Sequence, residues 1–432
     1  MNARDTLKDI FSAAIKAVDP YRSTLNKAPL IREEYQKGAF TRLQLAGFGK
    51  AAVPMAKALE DSLGDLISEG TVITKYGHNF PAYRLNKIKV WEAGHPVPDQ
   101  KGLEAARDLI KMLKGADRET LVVCLISGGG SALLTAPSEG ISLADKQETT
   151  RLLLSSGADI EQLNTVRKHL SAVKGGQLAQ IIYPGRTIAL MISDVVGDSP
   201  AVIASGPVSP DPATYADALA VLKRLGLEEL VPAAVTSRLK QGEQGLKPET
   251  PKPGDPIFNQ VTPFIIADNR KAREAAGKKA QELGIAFQIL PQPVTGEARE
   301  AGIKLAEKIL KKPEKDFFLI SGGETTVTVK GKGLGGRNLE LALAFAGEIE
   351  SIKGGVTLLS AGTDGADGPT DAAGAIVDER TVSRGKALGL NPRTFLNRND
   401  SYPFLEKTGD LLITGPTGTN VMDIQLILKR QP

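Results

Sequence analysis

Short runs of β-branched and apolar residues recur along this chain, and nearly all stop at a glycine or a small polar cluster. They lie at Leu43–Ala46, Thr71–Thr74, Leu121–Ile126, Thr187–Ile192, Phe264–Ile266, Phe317–Ile320, Val356–Leu359 and Leu411–Thr414. Between many of them, residues 101–114, 143–155, 214–225, 269–283, 296–311 and 338–350 carry longer helical patterns. Alternating strands and helices predict an α/β fold with parallel sheets covered by helices on both faces. Continuous apolar strands fit full burial in such sheets.

The length, 432 residues, favours two domains over one. Gln241–Pro256 holds Pro248, Pro251, Pro253 and Pro256 with three glycines and a single leucine. Such a segment cannot build a core, so it reads as a linker at 241–256 between domains 1–240 and 257–432. A functional cleft is expected between the domains, at the carboxyl ends of strands.

Composition narrows the function. Fifty-four basic and 50 acidic residues give a net charge of +4, with no basic block, and aromatics are 5%. Nucleic-acid binding is therefore not expected. Cys124 is the single cysteine, and His78, His95 and His169 are far apart. This excludes an intrachain disulfide, argues against structural zinc, and suggests a reducing compartment, the cytoplasm. Leu7, Ile10, Phe11, Ala14, Ile15 and Val18 fall at helical spacing among charges, which describes a packing helix instead of a signal peptide. The longest uncharged stretch, Leu121–Ser138, is interrupted by three glycines and Pro137, so no membrane span is expected.

Glycine-rich loops after strands supply the chemistry. Ser127-Gly128-Gly129-Gly130-Ser131 offers backbone N–H groups and two hydroxyls to a phosphate or carboxylate. Gly47-Phe48-Gly49-Lys50 opens a helix with a lysine, where a cation is unfavourable unless an anion binds. Ser321-Gly322-Gly323-Glu324-Thr325 echoes the first loop and is a second anion-site candidate. Gly331–Gly336 formally matches G-x-G-x-x-G, but Asp364 comes too late for a dinucleotide fingerprint. The loop is read as one that presents Arg337, suited to bidentate binding of carboxylate or phosphate, and then Asn338. Asp194 and Asp198 after one strand, and Asp364 after another, are candidate oxygen ligands for Mg²⁺; turn formation is the plain alternative. Thr414–Asn420 is read as a loop after the last hydrophobic strand.

Together, Gly47–Lys50, Gly94–Asp99, Ser127–Leu134, Lys168–Gly176, Ser193–Pro207, Ser321–Thr325, Gly335–Asn338, Ala361–Asp371 and Thr414–Asn420 resemble the glycerate 2-kinase family with a C-terminal MOFRL domain. The resemblance implies a Rossmann-like N-terminal domain, a C-terminal α/β MOFRL domain and an active site in the interdomain cleft. It also implies ATP- and Mg²⁺-dependent phosphorylation of D-glycerate at its 2-hydroxyl. Lys50 and Arg337 match the basic positions of the family's active site. On chemical grounds Asp194 joins them as candidate catalytic base. Gly49, Ser127, Gly128, Gly129, Gly130, Ser131, Ser321, Gly322, Gly323, Glu324 and Asn338 are the candidate binding residues, and Asp194, Asp198 and Asp364 the candidate metal ligands. The protein is expected to act as a monomer or homodimer. An NAD(P)-dependent hydroxypyruvate reductase and a non-catalytic sugar-acid or nucleotide binder are the alternatives.

Overall fold

The computed structural model describes residues 2–314, 316–352 and 354–430. The chain forms two compact units, residues 20–266 and residues 1–19 with 267–432.

The first unit is built on six strands: β1 (Arg42–Phe48), β2 (Ile67–Lys75), β3 (Ile88–Ala93), β4 (Thr120–Ile126), β5 (Arg186–Ile192) and β6 (Val261–Ala267). Their spatial order is 3-2-1-4-5-6, and strands 3 through 5 run parallel. This is the Rossmann strand order. All seven residues of β4 are buried, as expected for a strand covered on both faces. Ala46, Phe48, Val122, Cys124 and Met191 pack with Ala105, Leu109 and Leu113 of the helix Gln100–Leu113. Cys124 is a core residue, and burial pushes its thiol up to about 12.

Long insertions flank β5 and build a helical layer with its own core. Leu153, Val166, Tyr215, Leu222 and Leu239 belong to it, from the helices Leu143–Ser155, Ile160–His169, Tyr215–Arg224 and Ala233–Glu243. Three of these helices start at capping residues, Ser142, Asp159 and Thr214, each with a reciprocal capping box.

The second unit carries a seven-stranded sheet of β7 (Phe287–Ile289), β8 (Val294–Glu297), β9 (Phe317–Thr326), β10 (Gly355–Gly362), β11 (Gly374–Asp378), β12 (Leu411–Leu412) and β13 (Asp423–Arg430). Its order is 12-11-10-13-9-7, with β8 also on β9. The expectation of parallel sheets is corrected here: only β7 and β8 run parallel to β9, and the pairs through β10, β11, β12 and β13 are antiparallel. The last strand of the sequence reading is corrected too. β13 follows the Thr414–Asn420 loop and lies centrally between β10 and β9. Asp423 and Gln425 break its apolar pattern, and both are buried against polar partners, Arg337 and Ser321.

The units divide differently from the expected domains. Residues 241–256 are no free linker: the Asp211 N–H donates to the Pro251 carbonyl, Glu249 accepts from the Tyr215 N–H, and Thr250 is buried on Asp211. The chain leaves the first unit only after β6 has added its edge strand. The helix Ala3–Ala17 is amphipathic as expected, but it belongs to the second unit. Arg4 bridges Asp378 and Asp410 there, and Lys279 pairs with Asp9. No described helix is long and apolar enough to cross a membrane.

Candidate active site

In the first unit the chain turns opposite ways after β1 and β4, and their carboxyl ends form the crevice where open α/β sheets bind ligands. Gly49 and Lys50 follow β1, and Ser127–Ser131 follow β4. The two loops are tied together: the Lys50 N–H donates to the Gly128 carbonyl at 2.9 Å and the Ala51 N–H to Ser127 Oγ at 3.1 Å. A Cβ on Gly49 would lie 2.2 Å from Ser127 Oγ, so only glycine lets the loops approach this closely. Ser127, offered as a ligand contact, is 1% exposed and acts as that tie.

Three side chains converge on the glycines. A Cβ on Gly128 would meet Asp194 Oδ2 at 2.3 Å, and one on Gly129 would meet His95 Cδ2 at 2.9 Å and Lys50 Cγ at 3.4 Å. Gly129 also has φ +81°, which disfavours any other residue. Burial, then the charges of Lys50 and Lys75, push His95 down to about 4, so it faces the loop as a neutral imidazole near pH 7. The Lys50 ammonium takes part in no ion pair among the described residues, which suits a group reserved for a ligand.

Ser131, at the end of the loop, sits in a basic nest that the sequence reading did not find. Its Oγ accepts from Arg167 Nη2 at 2.6 Å and from Lys174 Nζ at 3.1 Å, and it lies 2.8 Å from Ser205 Oγ. Ser205 in turn donates to Asn164 Oδ1 at 2.9 Å. Lys146 stands by, with Thr135 Oγ1 at 3.2 Å as its hydrogen-bond partner. One signal was legible. Lys146, Thr149 and Leu153 are the buried stripe of their helix, and a lysine on an apolar stripe is costly without a purpose.

In the second unit, Arg337 opens the helix Arg337–Ile349. Its Nε and Nη2 bind the two oxygens of Asp423 at 2.6 and 2.9 Å, and its Nη1 reaches Glu324 at 2.8 Å. Burial disfavours the guanidinium charge, but hydrogen bonding and attraction to Asp423 outweigh it and raise its pKa above the ordinary value. Burial likewise pushes the Asp423 carboxyl up while Arg337 pulls it back, and the bidentate geometry is that of an ionised pair. This corrects one expectation. The fork meant for a substrate carboxylate is already filled along its Nε–Nη2 edge.

Further corrections concern neighbouring residues. Ser321–Thr325 is not a loop but the body of β9; Ser321, Gly322 and Gly323 are buried. Ser321 donates to Gln425, while the glycines make room for the Asn269 side chain and the Val294 backbone. Asn338 is 1% exposed, and its amide is used by Ser360 and Asp367. The backbone N–H groups of Asn338 and Leu339 are taken by Asp367, whose carboxyl lies where a Cβ of Gly336 would fall. The helix start after the G-x-G-x-x-G match thus already holds an internal carboxylate, and burial pushes that carboxyl up to about 6. A pocket of about 570 Å³ opens beside Arg337, Glu324, Gly336 and Glu340. Among the described residues no group of three or more His, Cys, Asp or Glu side chains is gathered as a metal would require. Asp194 and Asp198 follow β5 in one unit, and Asp364 follows β10 in the other.

A Rossmann-order sheet with a glycine loop, an unpaired lysine and a basic nest at its switch point defines an α/β protein that handles small anions. Two family models match the chain, a domain of unknown function (DUF4147) over residues 6–240 and the MOFRL family over residues 317–423. The D-glycerate 2-kinase of Thermotoga maritima is 44% identical, over 96% of each chain. The glycerate 2-kinase of Pyrococcus horikoshii is 42% identical, over 99% of this chain and 98% of that one. A putative hydroxypyruvate reductase of Agrobacterium vitis is 40% identical, over 99% of this chain and 95% of that one. The crystal structure of glycerate kinase from Thermotoga maritima superposes with a TM-score of 0.87 at 43% identity, covering 98% of this chain and 99% of that one. The chain belongs to the glycerate 2-kinase family with a C-terminal MOFRL domain.

Proposed function

We infer that this chain is a glycerate 2-kinase, transferring the γ-phosphoryl group of ATP to the 2-hydroxyl of D-glycerate. The observation that carries it is Lys50, whose backbone is fixed against a glycine loop at the switch point and whose ammonium forms no ion pair among the described residues. Phosphoryl transfer asks a protein mainly for positioning and for positive charge around the transferring group. Lys50 supplies charge to the nucleotide phosphates. Asp194, against Gly128, takes the proton as the 2-hydroxyl oxygen attacks phosphorus and the bond to the β-phosphate oxygen breaks. Arg337, its side edge filled by Asp423, keeps N–H donors for an anionic oxygen of the substrates. Phosphorus NMR of the product tests the assignment. It should show 2-phosphoglycerate, and 3-phosphoglycerate as the main product would overturn the 2-kinase reading.

The donor set fits magnesium in its chemistry: carboxylates only, with one or two per unit, which is how Mg²⁺ beside phosphates is usually held. Asp194 and Asp198, which follow β5 in the first unit, are the residues proposed to hold it. Bound with the nucleotide, the ion would supply charge neutralisation to its phosphates. Turnover should vanish in chelator and return with Mg²⁺; full activity after exhaustive metal removal would refute this part. The hydroxypyruvate reductase reading is disfavoured by the helix start after Gly331–Gly336, which Asp367 occupies in place of a pyrophosphate. Incubation with hydroxypyruvate and NAD(P)H, followed by the absorbance of the reduced nicotinamide, should show no oxidation.

A further inference from the structure

We infer that Lys146, Arg167 and Lys174, gathered around Ser131, form the subsite that receives the carboxylate of the substrate acid. The inference rests on the kinase reading for the identity of the acid, and on geometry for the site itself. Lys146 and Lys174 are 2% and 1% exposed, while Arg167 and Ser131 keep part of their surface open. None of the three cations makes an ion pair among the described residues. Lysine and arginine are almost never buried unless paired. Burial and mutual repulsion hold the Lys146 ammonium down to about 7 and Lys174 well below the lysine range. A natural protein keeps such a cluster where an anion arrives to complete it.

The hydrogen-bond directions show which donors remain. Ser205 gives its proton to Asn164 Oδ1, so Ser131 gives its own to Ser205 and accepts from Arg167 and Lys174. Ser131 therefore orients the two cations and has no proton left for a ligand. Arg167 Nε is buried and has no hydrogen-bond partner among the described residues. Lys146 spends one of its three donors on Thr135. The unused donors of the nest await an oxyanion.

Its charge selects the acid over the nucleotide. ATP works as a metal complex, and a divalent cation finds no carboxylate ligand in this cluster of basic side chains, whose arginine repels it. The carboxylate of a small hydroxy acid arrives without a metal. Held there, it would fix the adjacent 2-hydroxyl at a short distance, whereas the 3-hydroxyl would swing on a free bond.

Lys146→Met and Arg167→Gln test the assignment, with KM measured separately for D-glycerate and for ATP and the melting temperature read without ligand. The expected result is a rise of at least tenfold in the glycerate KM with the ATP KM within twofold. Lys146→Met should keep or raise the melting temperature, because it removes a repelled charge. An unchanged glycerate KM in both variants, or a rise confined to ATP, would overturn the assignment. A wild-type enzyme that phosphorylates no glycerate would instead overturn the kinase reading. A melting temperature lowered in Lys146→Met with unchanged KM values would mark the cluster as structural and refute the subsite.

Discussion

Replacing Lys50 by alanine should lower kcat more than a hundredfold while the melting temperature moves little. The ammonium forms no ion pair among the described residues, and its anchoring contacts to the glycine loop are made by the backbone, which alanine keeps. Only the aliphatic stem packs near Gly129. What is lost is charge opposite the phosphates, where a preorganised cation acts on the transition state. A loss of ~3 kcal/mol of transition-state stabilisation exceeds a hundredfold in rate. Phosphate-transfer rates on saturating substrates and a thermal melt of the same preparation check both halves. Near-normal turnover, or a collapse of the fold with the side chain, would sink the assignment.

Asp423→Asn should damage both stability and catalysis. Asp423 is fully buried, and its carboxylate takes the Nε–Nη2 edge of Arg337. The amide cannot accept both hydrogen bonds or balance the charge. Breaking a buried pair by neutralising one partner costs roughly 3–5 kcal/mol, a fall on the order of 10 °C for a unit of this size. Glu324 remains on Arg337 but is exposed and holds it weakly. Arg337 would lose its fixed direction, so kcat should fall while the glycerate KM stays near the wild-type value. Arg337→Lys carries the same kinetic signature with a smaller loss of stability, since one charge is kept but the fork is not. Scanning calorimetry with kcat and KM on both variants separates these outcomes. A penalty confined to the glycerate KM would return Arg337 to the carboxylate and contradict the subsite around Ser131.

The α/β alternation, the amphipathic first helix, the buried Cys124 strand and the helix Leu143–Ser155 were all legible in the sequence, because local propensity and burial agree there. Lys50 and the Ser127–Ser131 loop were legible too, since a glycine loop after an apolar strand is a local signature. Asp423 was not. A charged residue at the head of a strand looks like loop until its partner, 86 residues earlier, is brought beside it. The pairing of β13 between β10 and β9 is equally non-local, and it turned the expected loop at Ser321 into sheet. The packing of the first helix with the second unit rests on contacts of Arg4 hundreds of residues away. What the sequence determined by itself was the set of strands, helices and glycine turns, each decided by near neighbours. What only the tertiary structure decided was which charges are paired. It filled Arg337 with Asp423 and gave Lys146, Arg167 and Lys174 no carboxylate among the described residues, because the sign of a charge is written locally but its counter-charge arrives through the fold.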